Sequence, residues 1–260
     1  MHNQKLILFD FDGVIIDGIK EYWYSSLIVC KQYLNSDLIP ANLNINMRVS
    51  NTFKELRPWV KYGWEMVLLT HEIIKNKEPL NDLSKNDFLK NYQKNCQDVL
   101  IKNSWDSKNL QKNLDKVRQL QISADLDKWI NLHQPFLQVI SFIKKSQKNG
   151  FKIGIISTKN KVFTSKILSK FNIYPELVFG YQDGTKVKIV SKLINEYEIM
   201  GFIEDRRNTL MNILENKKTN QTKCFLAEWG YLKKSDIVNL PKEIILIKLK
   251  DLKNLLAYSD

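Results

Sequence analysis

Two regions of the chain differ in how apolar and polar residues alternate. Residues 5–9 form a short apolar run that predicts a buried strand, and after Pro135 short apolar runs alternate with amphipathic stretches. This alternation is typical of a parallel sheet with helices on both faces. The predicted helices of this later region lie at 136–149, 161–171, 186–197 and 209–216, and the predicted strands at 152–156, 177–180, 200–203, 223–227 and 244–249.

Residues 17–133 have a different pattern, in which helical spacing dominates and strand-like alternation is scarce. A loop of this length inside a doubly wound sheet is implausible unless it folds as a domain of its own. We therefore predict an α/β fold whose core, residues 1–16 and 134–260, is a doubly wound parallel, Rossmann-like sheet. An all-helical cap domain is inserted between them, with predicted helices at 22–34, 53–69, 81–95, 110–120 and 126–132.

Composition narrows the class of protein. A hydrophobic fraction of 43% with 9 Gly and 6 Pro excludes collagen-like and disordered chains. The apolar runs are too short to cross a bilayer, and Asp10 and Asp12 interrupt the first of them, which is not typical of a signal peptide. We therefore expect a cytoplasmic protein. Neither a disulfide framework nor a zinc site is predicted from the spacing of Cys30, Cys96 and Cys224.

The formal net charge of +12 is compatible with nucleic acid, a membrane surface or small anionic substrates as partners. Nucleic acid is disfavoured because there is no stripe of interleaved basic and aromatic residues and because arginines are few. We interpret most of the surplus lysines as solvated surface. A non-catalytic protein that binds anions or nucleic acid stays open as an alternative. The arginines are Arg48, Arg57, Arg118, Arg206 and Arg207.

Polar residues follow the predicted strands at the points where these strands end. Ligands of parallel α/β sheets bind beyond the carboxyl ends of the strands, so these side chains are expected to lie close together. Several carboxylates at one place repel each other unless a cation joins them, and oxygen ligands favour Mg²⁺. The residues concerned are Asp10, Asp12, Ser157, Thr158, Lys159, Glu204 and Asp205, with Lys186 at the start of a helix.

These residue types suit phosphoryl transfer. Lysine and a serine hydroxyl bind phosphate oxygens, and a carboxylate directed at phosphorus can act as a nucleophile. A second carboxylate two residues further on can donate a proton to the leaving oxygen and later accept one from water. Gly13 permits the sharp turn that leads into the insert. The pattern therefore indicates a Mg²⁺-dependent enzyme acting on a phosphorylated compound.

The same segments resemble the motifs of the haloacid dehalogenase-like (HAD) hydrolases. The resemblance covers the core, whereas the insert is similar to the family's helical cap only in position and helicity. Glu204-Asp205, together with Gly13-Val14, is similar to the phosphatase and β-phosphoglucomutase-like branch. The matching segments, in the family's order, are Phe9-Asp10-Phe11-Asp12-Gly13-Val14, Ile155-Ile156-Ser157-Thr158-Lys159, Gly184-Thr185-Lys186-Val187 and Ile203-Glu204-Asp205.

The resemblance implies a role for each matching residue. Asp10 is the expected nucleophile and Asp12 the expected general acid and base. Ser157, with Thr158 beside it, and Lys186 are expected to bind the transferring phosphoryl group, although Lys188 is an alternative for the lysine. The expected ligands of Mg²⁺ are Asp10, the backbone carbonyl of Asp12, Glu204 and Asp205.

One departure from the family pattern concerns the fourth motif, because residues 206–209 lack the second acid that many members have there. The implied activity is hydrolysis of a phosphoric monoester of a small metabolite, of the phosphoglycolate or sugar phosphate type. A phosphosugar mutase is the alternative within enzymes. Arg57 and Lys159 are candidate substrate contacts, His133 is interpreted as a packing residue, and the turn 229–231 as structural.

Overall fold

The computed structural model describes residues 4–34, 39, 43–76 and 80–259. The chain separates into two compact units. An α/β unit takes in the chain up to Asp17 and from Gln134 onward, and a helical unit spans Gly18–His133. Asp17, which the sequence pattern had placed in the insert, pairs with Gln134 and so belongs to the α/β unit.

The α/β unit contains a six-stranded parallel sheet and a separate two-stranded ribbon. The strands are β1 (Gln4–Phe9), β2 (Ile16–Asp17), β3 (Gln134–Pro135), β4 (Lys152–Ile156), β5 (Leu177–Phe179), β6 (Tyr197–Glu204), β7 (Cys224–Ala227) and β8 (Ile244–Ile247). The strand order in the sheet is β5-β4-β1-β6-β7-β8, and the ribbon pairs β2 with β3 in antiparallel fashion. Residues Leu6 to Phe9 of β1 are all apolar, in keeping with their burial at the centre of the sheet.

The strand order determines which chain segments meet at the edge of the sheet. β1 pairs with β4 on one side and with β6 on the other, and Phe9 is aligned with both Ile155 and Ile203. The carboxyl ends of three strands that are far apart in the sequence therefore lie side by side. In parallel sheets this edge is where ligands bind.

The helical unit has an apolar core of its own, to which residues such as Leu27, Leu68 and Leu114 contribute. Cys30 and Cys96 are also buried there and form no disulfide. No helix in the described part of the chain is both long and apolar enough to span a membrane. The helices are α1 (Ile19–Tyr33), α2 (Asn51–Leu56), α3 (Gly63–Asn76), α4 (Lys85–Lys90), α5 (Tyr92–Lys102), α6 (Ser107–Ala124) and α7 (Leu126–Ile130).

The helices of the α/β unit follow the strands as expected for a doubly wound sheet. This unit also contains 3₁₀ segments at Tyr181–Asp183, Lys234–Asp236 and Leu249–Ser259. Gly150, which has a positive φ of 86°, lies just after the end of the helix Leu137–Lys148. The helices are α8 (Leu137–Lys148), α9 (Lys161–Lys170), α10 (Lys186–Leu193) and α11 (Arg207–Glu215).

Among the predicted helices whose bounds are wrong, three differ from the structure for an identifiable reason. The helix predicted over 53–69 is broken by a 3₁₀ turn at Arg57–Trp59, because Pro58 lacks the N–H that a helix interior requires. The helix predicted over 81–95 is two helices, one capped by the hydroxyl of Ser84 and the next beginning after Asn91. The helix predicted over 186–197 ends at Leu193, since residues 194–196 form a turn that leads into β6 at Tyr197.

Candidate active site

The loop that follows β1 brings two carboxylates to the sheet edge. The backbone N–H of Asp10 continues the sheet pairing by donating to the carbonyl of Ile203 over 2.8 Å. The carbonyl of Phe11 then accepts the N–H of Ile15 over 2.9 Å, which closes a tight turn. The side chains of Asp10 and Asp12 are both buried in this turn.

Gly13 and Gly230 allow Asp205 to approach this loop closely. Gly13 has a positive φ of 94°, and a Cβ there would lie 2.0 Å from Oδ2 of Asp205. A Cβ at Gly230 would lie 2.2 Å from the Cβ of Asp205. Any side chain at either position would displace the carboxylate, so glycine is needed for reasons of space at both, and at Gly13 also for its backbone conformation.

Lys186 connects the acids of two strands. Its Nζ donates to Oδ1 of Asp10 over 2.5 Å and to Oε2 of Glu204 over 2.6 Å. Burial lowers the pKa of Lys186, but the negative charges of Asp10 and Glu204 outweigh burial and raise this pKa above its usual value. Lys188 is exposed, so Lys186 is the lysine that lies at the acidic cluster.

The segment after β4 supplies a hydroxyl and a second buried ammonium group. The Oγ of Ser157 accepts the N–H of Lys159 over 2.9 Å. The side chain of Lys159 is buried, and its Nζ lies 3.2 and 3.3 Å from the two carboxylate oxygens of Asp12. Thr158 between them is exposed. The structure thus brings Ser157 and Lys159 to the site and turns Thr158 towards solvent.

The carboxyl end of β6 provides the last two acids. Asp10, Glu204 and Asp205 each offer a ligand oxygen, and these oxygens lie within 4.8 Å of one another. Among the described residues, Oε1 of Glu204 is buried and has no hydrogen-bond partner. Burial raises the pKa of Glu204 to about 8, the charges of Asp10 and Asp205 act in the same direction, and Lys186 opposes them.

The charges and donor atoms at this edge fit a divalent cation. Four carboxylates and two ammonium groups lie together at this edge. A cluster of hard carboxylate oxygens with one unpartnered buried oxygen matches the ligand preference of Mg²⁺.

Residues 229–231 support the site in a way that the sequence analysis missed. The N–H of Tyr231 donates to Oδ2 of Asp205 over 2.8 Å, and its hydroxyl donates to Oδ1 of Asp17 over 2.5 Å. Nε1 of Trp229 donates to the carbonyl of Val14 over 3.1 Å. The sequence signal is a Trp-Gly-Tyr turn shortly after the strand that ends at Ala227, and its interpretation as structural assigns it no contact.

Other sequence candidates lie elsewhere. Arg57 belongs to the helical unit, where its guanidinium lies 5.9 Å from the ring centre of Tyr22. Arg207 holds a surface loop by donating to the carbonyl of Val238 over 2.7 Å. His133 packs in the helical unit, with its ring centre 4.7 Å from that of Trp129.

Solved structures with a similar fold cover nearly the whole chain. One, described as a predicted phosphoglycolate phosphatase from Haemophilus somnus, is 13% identical with a TM-score of 0.61, and the match covers 98% of this chain and 99% of that one. A haloacid dehalogenase-like hydrolase from Streptococcus pneumoniae is 15% identical with a TM-score of 0.54 and 99% coverage of both chains. A structure described as a "putative beta-phosphoglucomutase" from Thermotoga maritima is 12% identical with a TM-score of 0.56, and the match covers 98% of this chain and 99% of that one.

No protein-family model and no curated protein matches the sequence. The likeness to solved structures nonetheless defines the architecture: the parallel sheet, its strand order and its helices form the fold of the HAD-like hydrolases. The predicted α/β fold class is thereby confirmed, and so is the predicted resemblance.

Proposed function

We propose that this protein is a Mg²⁺-dependent phosphatase that hydrolyses a phosphoric monoester of a small metabolite. The observation that carries the proposal is the buried cluster at the carboxyl edge of the sheet, where Lys186 joins Asp10 to Glu204 and Lys159 contacts Asp12. The phosphatase descriptions of similarly folded structures support the same class of reaction. Acids that bind a cation and lysines that bind an anion are the groups that phosphoryl transfer requires.

Asp10 supplies the nucleophile. Lys186 holds its Oδ1 in place over 2.5 Å, and the backbone pairing with Ile203 fixes the Cα position. One carboxylate oxygen attacks phosphorus, the bond from phosphorus to the leaving oxygen breaks, and an aspartyl phosphate forms. Orientation by fixed neighbours lowers the entropic part of the barrier.

Asp12 transfers the protons. In its acid form it gives a proton to the leaving oxygen as the first bond breaks. As a carboxylate it then takes a proton from the water that attacks the aspartyl phosphate, the bond between phosphorus and the Asp10 oxygen breaks, and inorganic phosphate is released. The contacts from Lys159 over 3.2 and 3.3 Å hold the carboxylate of Asp12 in position for the second step.

The phosphoryl group is bound by Ser157 and Lys186. Because Oγ of Ser157 already accepts the N–H of Lys159, its own hydroxyl proton can be directed to a phosphate oxygen. Mg²⁺, when bound, neutralises and polarises the phosphoryl oxygens. Asp10, the backbone carbonyl of Asp12, Glu204 and Asp205 are the residues that would hold it.

The helical unit is proposed to act as a cap domain that selects the substrate. It is compact, has its own core, and is inserted between two parts of the α/β unit. Arg57, a cation within this unit, is a candidate contact for a substrate anion. The proposed substrate is of the phosphoglycolate or sugar phosphate type. The protein is proposed to act in the cytoplasm.

A phosphosugar mutase is the second candidate. The similar fold of a structure described as a β-phosphoglucomutase favours it, as does the adjacent pair Glu204-Asp205. Incubation with a hexose phosphate separates the two activities, because a mutase yields the isomeric hexose phosphate and a phosphatase yields inorganic phosphate.

The proposed phosphatase is tested with Asp10→Asn. Phosphate release from an aryl phosphate in the presence of Mg²⁺ should fall by about 10⁴-fold or more, because the amide is no longer a nucleophile. Asp251→Asn, a matched change outside the site, should leave the rate unchanged. Retention of activity within about tenfold in Asp10→Asn overturns the assignment. A wild-type protein that releases no phosphate but binds anions would favour the non-catalytic alternative.

A further inference from the structure

Tyr231 contacts two functionally different parts of the α/β unit at once. Its backbone N–H donates to Asp205 over 2.8 Å, and its hydroxyl donates to Asp17 over 2.5 Å. Between these two contacts its ring packs on the loop after β1, because a Cβ at Gly13 would come within 2.7 Å of ring atom Cδ2. A single residue thus joins a proposed Mg²⁺ ligand, through its backbone, to the residue at the end of β2, through its side chain.

Asp17 lies where the chain leaves the α/β unit. It pairs with Gln134 and Ile16 pairs with Pro135, and we refer to these four residues as the linker ribbon. The helical unit begins with the next residue and ends at the residue before Gln134. A ribbon of two residues a side has few hydrogen bonds and is not stable by itself, so contacts from outside it determine how well it is ordered.

We infer that Tyr231 is a positioning residue that couples cation binding at Asp205 to the order of the linker ribbon. The inference rests on the metal site of the proposed function. A cation that fixes the carboxylate of Asp205 also fixes the N–H that donates to it, and the rigid phenol then holds Asp17 through its hydroxyl. Because coupling between two sites is reciprocal, an ordered ribbon strengthens cation binding by the same factor.

The coupling is measured as Mg²⁺ affinity by titration calorimetry on four full-length proteins: wild type, Tyr231→Phe, Asp17→Ala and the double variant. Phenylalanine keeps the ring and the N–H to Asp205 and removes the hydroxyl alone. Each single variant should bind Mg²⁺ about five- to tenfold more weakly. The double variant should bind Mg²⁺ no more weakly than the weaker-binding single variant, since both changes remove the same hydrogen bond.

Tyr174→Phe is the matched control, because Tyr174 is 67% exposed in the same unit, and its Mg²⁺ affinity should equal that of the wild type. The inference is overturned if Tyr231→Phe changes Mg²⁺ affinity by less than about twofold, or if the effects of the two single changes multiply in the double variant. A lower melting temperature with unchanged Mg²⁺ affinity also overturns it, because that is the result expected of a merely structural hydrogen bond.

Hydrogen exchange gives the reciprocal measurement. Addition of Mg²⁺ should slow amide exchange in peptides that contain the linker ribbon of the wild type, and should slow it less in Tyr231→Phe. Equal slowing in both proteins contradicts the coupling. Neither measurement depends on catalysis, so the two proposals can fail separately. If the protein binds Mg²⁺ but releases no phosphate, the proposed phosphatase activity is wrong, and the inference about Tyr231 is still tested by the Mg²⁺ affinities.

Discussion

Glu21 in the helical unit and Glu204 in the α/β unit are both buried, and their charges are compensated in different ways. In the helical unit, Glu21 accepts from Nε and Nη2 of Arg118 over 2.7 and 2.8 Å and from the hydroxyl of Ser25 over 2.7 Å. In the α/β unit, Glu204 accepts from Lys186 through one oxygen, and within the described residues the other oxygen has no partner. The first carboxylate is satisfied by the chain itself, whereas the second is left able to bind a ligand.

The pKa shifts of buried glutamates show the same contrast. Burial opposes ionisation of Glu72 in the helical unit, yet its hydrogen bonds to His71 and to the N–H of Asn81 outweigh burial and lower its pKa. Burial raises the pKa of Glu204 to about 8 despite the neighbouring Lys186. A structural acid is stabilised in its charged form by the fold, and an acid at a cation site is stabilised only when the cation is present.

The largest expected effect comes from breaking the pair in the helical unit. Arg118→Met leaves the carboxylate of Glu21 buried without its main partner, and should lower the free energy of unfolding by about 3–5 kcal/mol. Denaturant unfolding measures this loss of unfolding free energy. The double variant Arg118→Met/Glu21→Leu should recover part of this loss because no buried charge is left. Arg48→Met, at an exposed position, is the control; a loss below about 1 kcal/mol in Arg118→Met would show that the pair contributes little.

A smaller effect is expected at the other buried acid, and it depends on the cation. At 100 times its Kd, Mg²⁺ should raise the unfolding free energy of the wild type by about 2.7 kcal/mol. In Glu204→Gln the same concentration should raise it by less than about 1 kcal/mol, since a charged ligand is lost. Glu198→Gln, an exposed position on the same strand, should respond like the wild type. Equal stabilisation of Glu204→Gln by Mg²⁺ would argue against a cation site there.

The smallest expected effect is the contribution of Glu72 to the stability of the protein at low pH. Its folded-state pKa lies below its ordinary value of 4.5, so its contribution to stability is present above that pH and is lost as the pH falls through the folded-state value. In Glu72→Gln this part of the acid sensitivity should disappear, as measured by urea unfolding between about pH 3 and 6. An unchanged pH dependence in the variant would show that the contacts with His71 and Asn81 do not favour the charged form.

Local patterns in the sequence predict much of the fold. The strand at 152–156 matches its observed bounds Lys152–Ile156, because an apolar run after a helix-ending glycine is a strong signal. The broken helix at Arg57–Trp59 was missed although Pro58 is visible in the sequence, since apolar periodicity continues across it. The last turn predicted for the helix from 186 was wrong because sheet pairing, a non-local contact, recruits Tyr197 into β6.

The candidate site was predicted in its residue types and only partly in its contacts. Strand ends alone indicate that Asp10, Asp12 and the acids after β6 meet, because parallel strands share an edge. They do not indicate that Lys159 contacts Asp12, nor that Tyr231 holds Asp205, since these contacts join residues far apart in the chain.

The sequence by itself determined the α/β class, and it predicted helical spacing over residues 17–133 and a set of acids and lysines at the sheet edge, because each depends on periodicity or on the residue next to a strand. Tertiary structure alone decided the pairing of these charges. Strand order placed β1 between β4 and β6, and the absence of a Cβ at Gly13 and Gly230 let Asp205 approach the loop. Packing therefore decides that both oxygens of Glu21 accept hydrogen bonds, whereas Oε1 of Glu204, beside Asp10 and Asp205, has no hydrogen-bond partner among the described residues.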